Sequence, residues 1–553
     1  MTTPSLHTVA RQLGHPLRRV PEVLATRGLF IRALALVQLV AVVSLWAQVG
    51  GLFGQRGITP VAEILHAVQQ QWGAASWQVT PSLLLLDASD EAIHGLCVIA
   101  TLAALGTVLG FAPRWLLGVF WLCWLSLCAA SDEFLHYQWD SLLLEATLLA
   151  VLFAPPGLLR VQWAQPPTRL ALWGLRWLLF RVYFLSGVVK LTSHDPTWRD
   201  GTAMAFHYWT QPLPGPFSHF AAALPLRVHQ AETAMTFFVE LVLPLALFLP
   251  RQPRLLACVA MAGLQVLIGL TGNYGYFGLL NATLCLTLLD DAAWLPRLPE
   301  RLRARIPVAL AIPPRPRAGI DAWRTVGHAV VGVSLLLLAT LAAFGRVLPQ
   351  DLAQPLVRLH EVAAPFRSTN AYGLFAHMTT ERPQIQLEGS QDGQKWQEYA
   401  LPWQVGALDQ RPGWAQPHMP RLDWELWFAA LAQECRNAPW TLALAQRLLQ
   451  HEPTVLALFA KHPDFTPKYL RMTLWQYHLP TPAQRAHGQF WQRDAPEAFC
   501  PIVAYGHVVG GCCRCARSEG GRGATTTVNF DGRTDRFGVS AVPRQGLNHA
   551  AIV

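Results

Sequence analysis

Nine long apolar runs divide the first two-thirds of this chain, at about 29–49, 92–109, 115–130, 141–153, 173–191, 231–249, 255–271, 274–289 and 326–344. A helix needs about 20 such residues to cross a bilayer. In lipid, a spanning segment must also satisfy its own backbone, which leaves helices or closed barrels. The runs are too long for barrel strands and do not alternate, so they predict an α-helical polytopic membrane bundle of about nine spans. The 141–153 run is short for a full crossing unless Trp139 and the loop before it dip inward. Charged residues make up only 14% of the chain and hydrophobic ones 52%, against about 25% charged in a soluble domain. The 22 tryptophans fit the same reading, because indole rings favour the membrane–water interface.

Charge gives the orientation. The net charge of +9 is not gathered in one patch, so nucleic acid is not an expected partner. Residues 1–28 carry Arg11, Arg18, Arg19 and Arg27 and read as a cytoplasmic segment, with no cleavable signal peptide. With nine crossings, the inside loops hold Arg114, Arg160, Arg169, Arg251, Arg254 and the run from Arg297 to Arg324; the outside loops hold chiefly Arg56, Arg199 and Arg227. That asymmetry follows the positive-inside rule. It places the loop 191–229 and everything after residue 344 on the exoplasmic side. Composition points to a bacterial inner membrane, or to the endoplasmic reticulum membrane for a eukaryotic member.

A chain of 553 residues exceeds one core, and a second domain is expected after the transmembrane domain at 29–345. Residues 380–401 alternate apolar and polar side chains around Asp392-Gly393, a β-hairpin pattern. Two amphipathic segments at about 422–450 and 453–465 are too polar to span. The expectation for 346–499 is therefore an exoplasmic α+β domain with a small β-sandwich-like unit. From about residue 500 the chain turns rich in Gly, Arg and Thr, and 500–553 reads as a disordered tail. The cysteines suggest no disulfide framework: Cys97, Cys123, Cys128, Cys258 and Cys285 sit in apolar stretches, and Cys512, Cys513 and Cys515 lack the second pair of a zinc site.

The stretch from Arg176 to Pro216 holds most of the candidate chemistry. Tyr183, Ser186, Gly187 and Lys190 share one helix face by their spacing. Lys190 either snorkels to water, makes a structural salt bridge with Asp140, Glu145 or Asp195, or acts as a desolvated base. Asp140, Glu145, Glu240, Gln265 and Asn273 are further polar residues in or near the spans. Asp140 and Glu145 are five apart, which does not indicate an acid–base pair, and buried hydrogen-bonded packing is the better reading. The following loop offers His194, Asp195, Trp198, Arg199, His207, Tyr208 and Gln211 as contacts for a client or ligand. His194, His207 and His219 have no recognised metal spacing, and no metal or cofactor is expected. HExxH, GxSxG and Walker patterns are absent, which weakens protease, hydrolase and nucleotide-driven readings. Prolines 212, 214 and 216 suit a rigid recognition surface.

At these residues the chain resembles the lipase maturation factor family of multi-pass membrane proteins. The resemblance rests on SGVVKLTSHDPTWRDGTAMAFHYWTQPLPGP (186–216), LTGNYGYFGLLNATLCLTLLDD (270–291), NAYGLFAHMTTERPQIQLEGSQDGQKWQEY (370–399) and RPGWAQPHMPRLDWELWFAAL (411–431). It implies a factor in the endoplasmic reticulum membrane, in eukaryotes, that secreted lipases need in order to fold. Two departures are Trp209, where the family usually has an acidic residue, and His194, where it commonly has a small one. YFLSGVVKL (183–191), followed by Trp198 and Gly201, is also similar to a stretch of vitamin K-dependent γ-carboxylases, where a buried lysine deprotonates the quinol; Lys190 falls on that position.

The favoured reading is a membrane-embedded maturation factor that presents the 191–230 loop and the C-terminal domain to an exported client, a lipase by the resemblance. An enzyme acting on a quinone-like or lipid substrate, with Lys190 as general base, is the alternative. A transporter is weaker, as paired broken helices and internal repeats are not evident.

Overall fold

The computed structural model describes residues 19–131, 133–304, 306, 320–344, 358–504 and 507–509. Helices form on every one of the nine apolar runs: α1 (Leu24–Trp46), then, after a short surface helix α2 (Val61–Trp72), α3 (Asp90–Leu109), α4 (Pro113–Ala130), α5 (Gln138–Phe153) and α6 (Arg169–Thr192). Past the loop helix α7 (Ala203–Thr210) come α8 (Leu226–Phe237), α9 (Arg251–Thr271), α10 (Phe277–Cys285) and α11 (Ile320–Phe344). Helix α8 continues through a π turn (Phe238–Val242) into a 3-10 stretch (Leu243–Phe248). Among the described residues, six helices are long and apolar enough to cross a membrane, fewer than the nine spans expected. α5, α10 and the apolar part of α11 (Ala329–Phe344) fall short: the 16 residues of α5 reach only about 24 Å, against a hydrocarbon core of about 30 Å.

The short helices are the ones whose ends are finished by protein. Beyond α11 lies a domain built on one seven-stranded antiparallel sheet, ordered β2-β1-β3-β6-β7 with two further short strands beside β3. Strands β1 (Arg382–Ser390) and β2 (Gln397–Tyr399) form the hairpin that Asp392-Gly393 foretells; Gly393 sits at φ +73. β1 then pairs along its full length with β3 (Tyr469–His478), from Arg382↔Tyr477 to Ser390↔Tyr469. The short strands β4 (Gln492–Arg493) and β5 (Glu497–Ala498) also pair with β3. Among the described residues there is one sheet, and the expected sandwich is not formed. The sheet's second layer is helical, with α12 (Arg421–Leu431) packed on β1 and α13 (Trp440–Leu449) near β3.

Two expectations for the end of the chain change. Strands β6 (Ile502–Ala504) and β7 (His507–Val509) extend the sheet into the segment read as a tail. Cys435 and Cys500 form a disulfide that ties the α12–α13 connection to the start of β6, so the cysteines do contribute a cross-link. The cluster Cys512, Cys513 and Cys515 lies outside the described residues.

Candidate functional site

Polar side chains near one end of the bundle converge on the sheet domain. The end of α1 supplies Ser44 and Gln48: Ser44 Oγ accepts from Met419 N (2.8 Å), and Gln48 donates to Met419 O (2.9 Å) and accepts from Arg421 N (2.9 Å). At the start of α5, the Asp140 carboxylate takes both Arg421 Nη atoms (2.7 and 2.8 Å) and the Tyr276 hydroxyl. Arg421 also donates to Phe134 O (2.7 Å), and both members of the pair are buried. A bidentate pair with further donors satisfied is the geometry that offsets the desolvation of two charges.

Residues 370–378 enter the bundle as an extended strap read almost entirely through its backbone. Glu145 pairs with Arg181 and accepts from Asn370 Nδ2 (3.2 Å) and Tyr372 OH (2.8 Å), while Arg181 donates to Asn370 O (2.7 Å). Gln138 exchanges hydrogen bonds with Gly373 N and O (3.1 and 3.2 Å). Ser186 Oγ accepts from Leu374 N (3.2 Å). Further on, Trp198 donates to Phe375 O (3.0 Å) and Asp195 accepts from Met378 N (3.1 Å). Asp195 also caps the short helix Pro196–Arg199 through Thr197 N and Trp198 N.

Lys190 lies inside this arrangement. Its ammonium donates to Glu240 (2.9 Å), Leu374 O (2.8 Å) and Ser186 O (3.3 Å), beneath the Trp198 ring at 5.3 Å. Its three donors meet three acceptors. The partner is Glu240 rather than Asp140, Glu145 or Asp195. Asp140 and Glu145 each hold an arginine, and Asp195 is taken up by the strap and its own helix cap. Glu240 reaches Lys190 from the π turn, where Gly187 lets the chains close up: a Cβ there would meet Leu241 Cδ2 at 2.7 Å. The reading of Lys190 as a general base finds no support in this geometry, because the amine is engaged in structure.

Other sequence-picked residues are placed as follows. Tyr183 donates to Met261 O (3.1 Å) and accepts from Gln265 (2.8 Å), joining α6 to α9. Asn273 donates to Gly413 O (3.0 Å) and accepts from Ala415 N (2.8 Å). Gln211 bonds Thr271 O (2.8 Å) and the Tyr274 hydroxyl (2.8 Å). His207 is buried edge-on to Phe375, and burial, then the Lys190 charge, pushes its pKa down to about 4. Tyr208 is buried beside His229. Thus Asp195, Trp198, His207, Tyr208 and Gln211 turn inward, and only His194 and Arg199 of the proposed contact set lie exposed. The three loop histidines have separate environments: His194 is exposed, His207 faces Phe375, and His219 bonds Phe490 O (2.8 Å).

Sequence reasoning missed the domain-side partners. Arg382, buried at the start of β1, donates to Trp209 O (3.0 Å), Gln211 O and Pro212 O (2.9 Å), and burial lowers its pKa to about 9. On α12, burial raises Asp423 to about 7 and Glu425 to about 8. The chemical signal was present only as polar residues in a segment read as amphipathic.

Fold and site together define a multi-pass membrane protein whose C-terminal sheet domain is built into its helical bundle. The family profile described as Lipase maturation factor transmembrane domain matches residues 25–296, and that described as Lipase maturation factor C-terminal domain matches 368–501. Lipase maturation factor 2 of Gallus gallus is 31% identical, covering 89% of this chain and 82% of its own. Lipase maturation factor 2 of Homo sapiens is 32% identical (87% and 83%), and lipase maturation factor 1 of Bos taurus 31% (89% and 91%). The chain belongs to the lipase maturation factor family. No solved structure matches it.

Proposed function

We propose that this protein is a membrane-embedded maturation factor for an exported client of the lipase class, acting by binding rather than by covalent chemistry. The observation that carries the reading is the family match over both the bundle and the sheet domain. Lys190 supports it, since its donors are spent on Glu240 and the strap backbone. The sheet domain sits on the exoplasmic side in this reading, with nine crossings that include the short α5 and α10. Two features support that placement: the Cys435–Cys500 disulfide, of a kind that persists in oxidising compartments, and the arginines at the opposite end of the bundle. A bacterial inner membrane, or the endoplasmic reticulum membrane of a eukaryote, meets both conditions. The client-facing surface includes the exposed His194 and Arg199 of the loop after α6.

Deleting the gene should lower the activity of exported lipases while leaving their transcripts unchanged. An exported proteome and lipase activity equal to the parent's would sink the proposal. Lys190→Met offers a second check: client activity should fall only in step with the amount of folded factor, whereas a catalytic lysine would abolish it at full abundance.

A further inference from the structure

The connection between α1 and α3 leaves the bundle at its domain-facing end and then folds back onto the flank of α4. Arg447 of the sheet domain donates to Gly57 O (2.8 Å), and α2 follows. Helix α2 stops at Gly73, held at φ +51, and the chain turns through a short helix, Ser76–Val79. Ser76 closes that turn by donating to Gly73 O (2.6 Å), and Gln69 of α2 donates to Leu85 O (3.0 Å). The connection is latched to α4 at one residue: Ser82 donates to Ser126 O (2.8 Å), and Ser126 Oγ accepts from Leu83 N (3.1 Å).

The surfaces of α3 and α4 give the depth of that latch. Along α3 one exposed stripe runs Glu91, His94, Val98, Leu102, Leu105, Leu109, turning from polar to apolar between His94 and Val98. A spanning helix makes that change where headgroups give way to acyl chains. Helices α3 and α4 are packed antiparallel neighbours joined at 110–112, so the level of 94–98 on α3 is that of about 124–128 on α4. On α4 the exposed residues are Trp115, Val119 and Leu122, and Ser126 continues the same stripe by one more turn. Ser126 is itself buried, under residues 82–83. The connection therefore lies over a lipid-facing stripe at the headgroup–acyl boundary. What it exposes is apolar: Trp72, Trp77, Val79 and Leu86 all face outward, Leu86 at 76% exposure. Between residues 61 and 89 the formal charges are Glu63 and Asp87, with no lysine or arginine. Indole rings favour this boundary, and an amphipathic helix lies in its plane.

We propose that residues 61–86 are an interfacial anchor, with Trp72, Trp77, Val79 and Leu86 set into the headgroup–acyl boundary of the leaflet at the domain-facing end and held at that depth by the Ser82–Ser126 latch. Zwitterionic lipid suffices, since the segment brings no cation to a phosphate. A bilayer is favoured over a soluble client because this surface continues the exposed stripe of α4, which lipid covers in a multi-pass protein. The anchor does not depend on the maturation role, so either can fail alone.

The test places the purified full-length chain in phosphatidylcholine nanodiscs doped with a phosphatidylcholine that carries a diazirine near its glycerol. Adducts are mapped by peptide mass spectrometry. Peptides from 72–86 should be labelled comparably to those from 98–109, the lipid-facing part of α3. A water-soluble diazirine should label 72–86 several-fold less than the peptide holding Trp414, an exposed residue of the sheet domain. Trp72→Gln with Trp77→Gln and Leu86→Gln changes only exposed positions. That variant should lose lipid adducts in 72–86 several-fold and keep those on 98–109, which reports that the bundle still folds. Lipid adducts on 98–109 with none on 72–86 would overturn the proposal, and so would undiminished lipid labelling of 72–86 in the variant. Strong labelling of 72–86 by the water-soluble reagent would also overturn it, by leaving the surface open to a soluble partner.

Discussion

The two ends of the helical bundle handle charge in opposite ways. At the end that meets the sheet domain, Asp140 with Arg421, Glu145 with Arg181 and Lys190 with Glu240 form closed pairs, and the remaining donors go to backbone of the strap and of residues 413–421. At the other end Arg27 and Arg32 hydrogen-bond carbonyls, Arg32 lies over an indole, Asp291 acts on Arg27 electrostatically, and Asp290 is shared between Arg251 and Arg254. The contrast teaches that the domain-facing end is completed by the chain itself. The opposite end relies instead on backbone carbonyls of residues 154–166 and on the Asp290 pairs. It also bears on the short α5, which begins late where Arg421, rather than headgroups, meets Asp140.

The comparison can be broken most severely at that pair. Arg421→Met leaves Asp140 buried with one hydroxyl donor and should cost about 3–5 kcal/mol, as removal of one partner of a buried ion pair does. Thermal melting of the purified protein would read it, and most of the variant should be lost to aggregation. Cys435→Ser should come next, at about 2–4 kcal/mol, and should be matched by wild type treated with reductant. Lys190→Met, with Glu240 left unpaired, should cost about 1–3 kcal/mol through the stranded polar group. Glu240→Gln should cost less than that, since its side chain is 12% exposed and an amide can still accept from the ammonium.

A pH series sharpens the same contrast. Burial raises Glu425 to about 8 in the folded state, against an ordinary value of 4.5, with Tyr137, Arg421, Asp140 and the His136 ring (3.7 Å) facing it. A raised folded pKa means its stabilising contribution is complete below 4.5 and is lost as pH climbs through 8. The sheet domain should therefore melt at lower temperature at pH 8 than at pH 6, and Glu425→Gln should flatten that slope. His207 and His219, both lowered to about 4 by burial, act the other way and weaken the fold as pH falls from 6.5 towards 4. The smallest effect is expected at the far end: Arg32→Gln should barely change melting in detergent, because its guanidinium makes one hydrogen bond there.

Much of the scaffold was legible because its signals are local. Apolar runs placed every bundle helix, and Asp392-Gly393 placed the β1–β2 turn. The closure of the site was not, because it is non-local. Arg421 lies 281 residues from Asp140, and Leu374 lies 184 from Lys190. No spacing rule reports such distances. Glu240 was visible as an intramembrane acid, but its pairing with Lys190 depends on a π turn and on Gly187, neither of which a helical period foretells. Helix α12 misled for a physical reason. Arg421, Asp423 and Glu425 lie in or beside a segment read as an amphipathic helix, yet the helix is enclosed by sheet and bundle, and all three are buried. The sandwich expectation failed at the same place, since that helix supplies the layer a second sheet would have filled.

The claim that the sheet domain completes the bundle is tested most directly by a double-mutant cycle on Asp140 and Arg421. Asp140→Leu, Arg421→Met and the pair together would be compared by melting in one detergent. The account predicts that the double variant is more stable than either single one, with a coupling of about 1–3 kcal/mol, as contacting buried partners give. Losses that simply add would show that the two residues do not depend on each other, and would contradict the account.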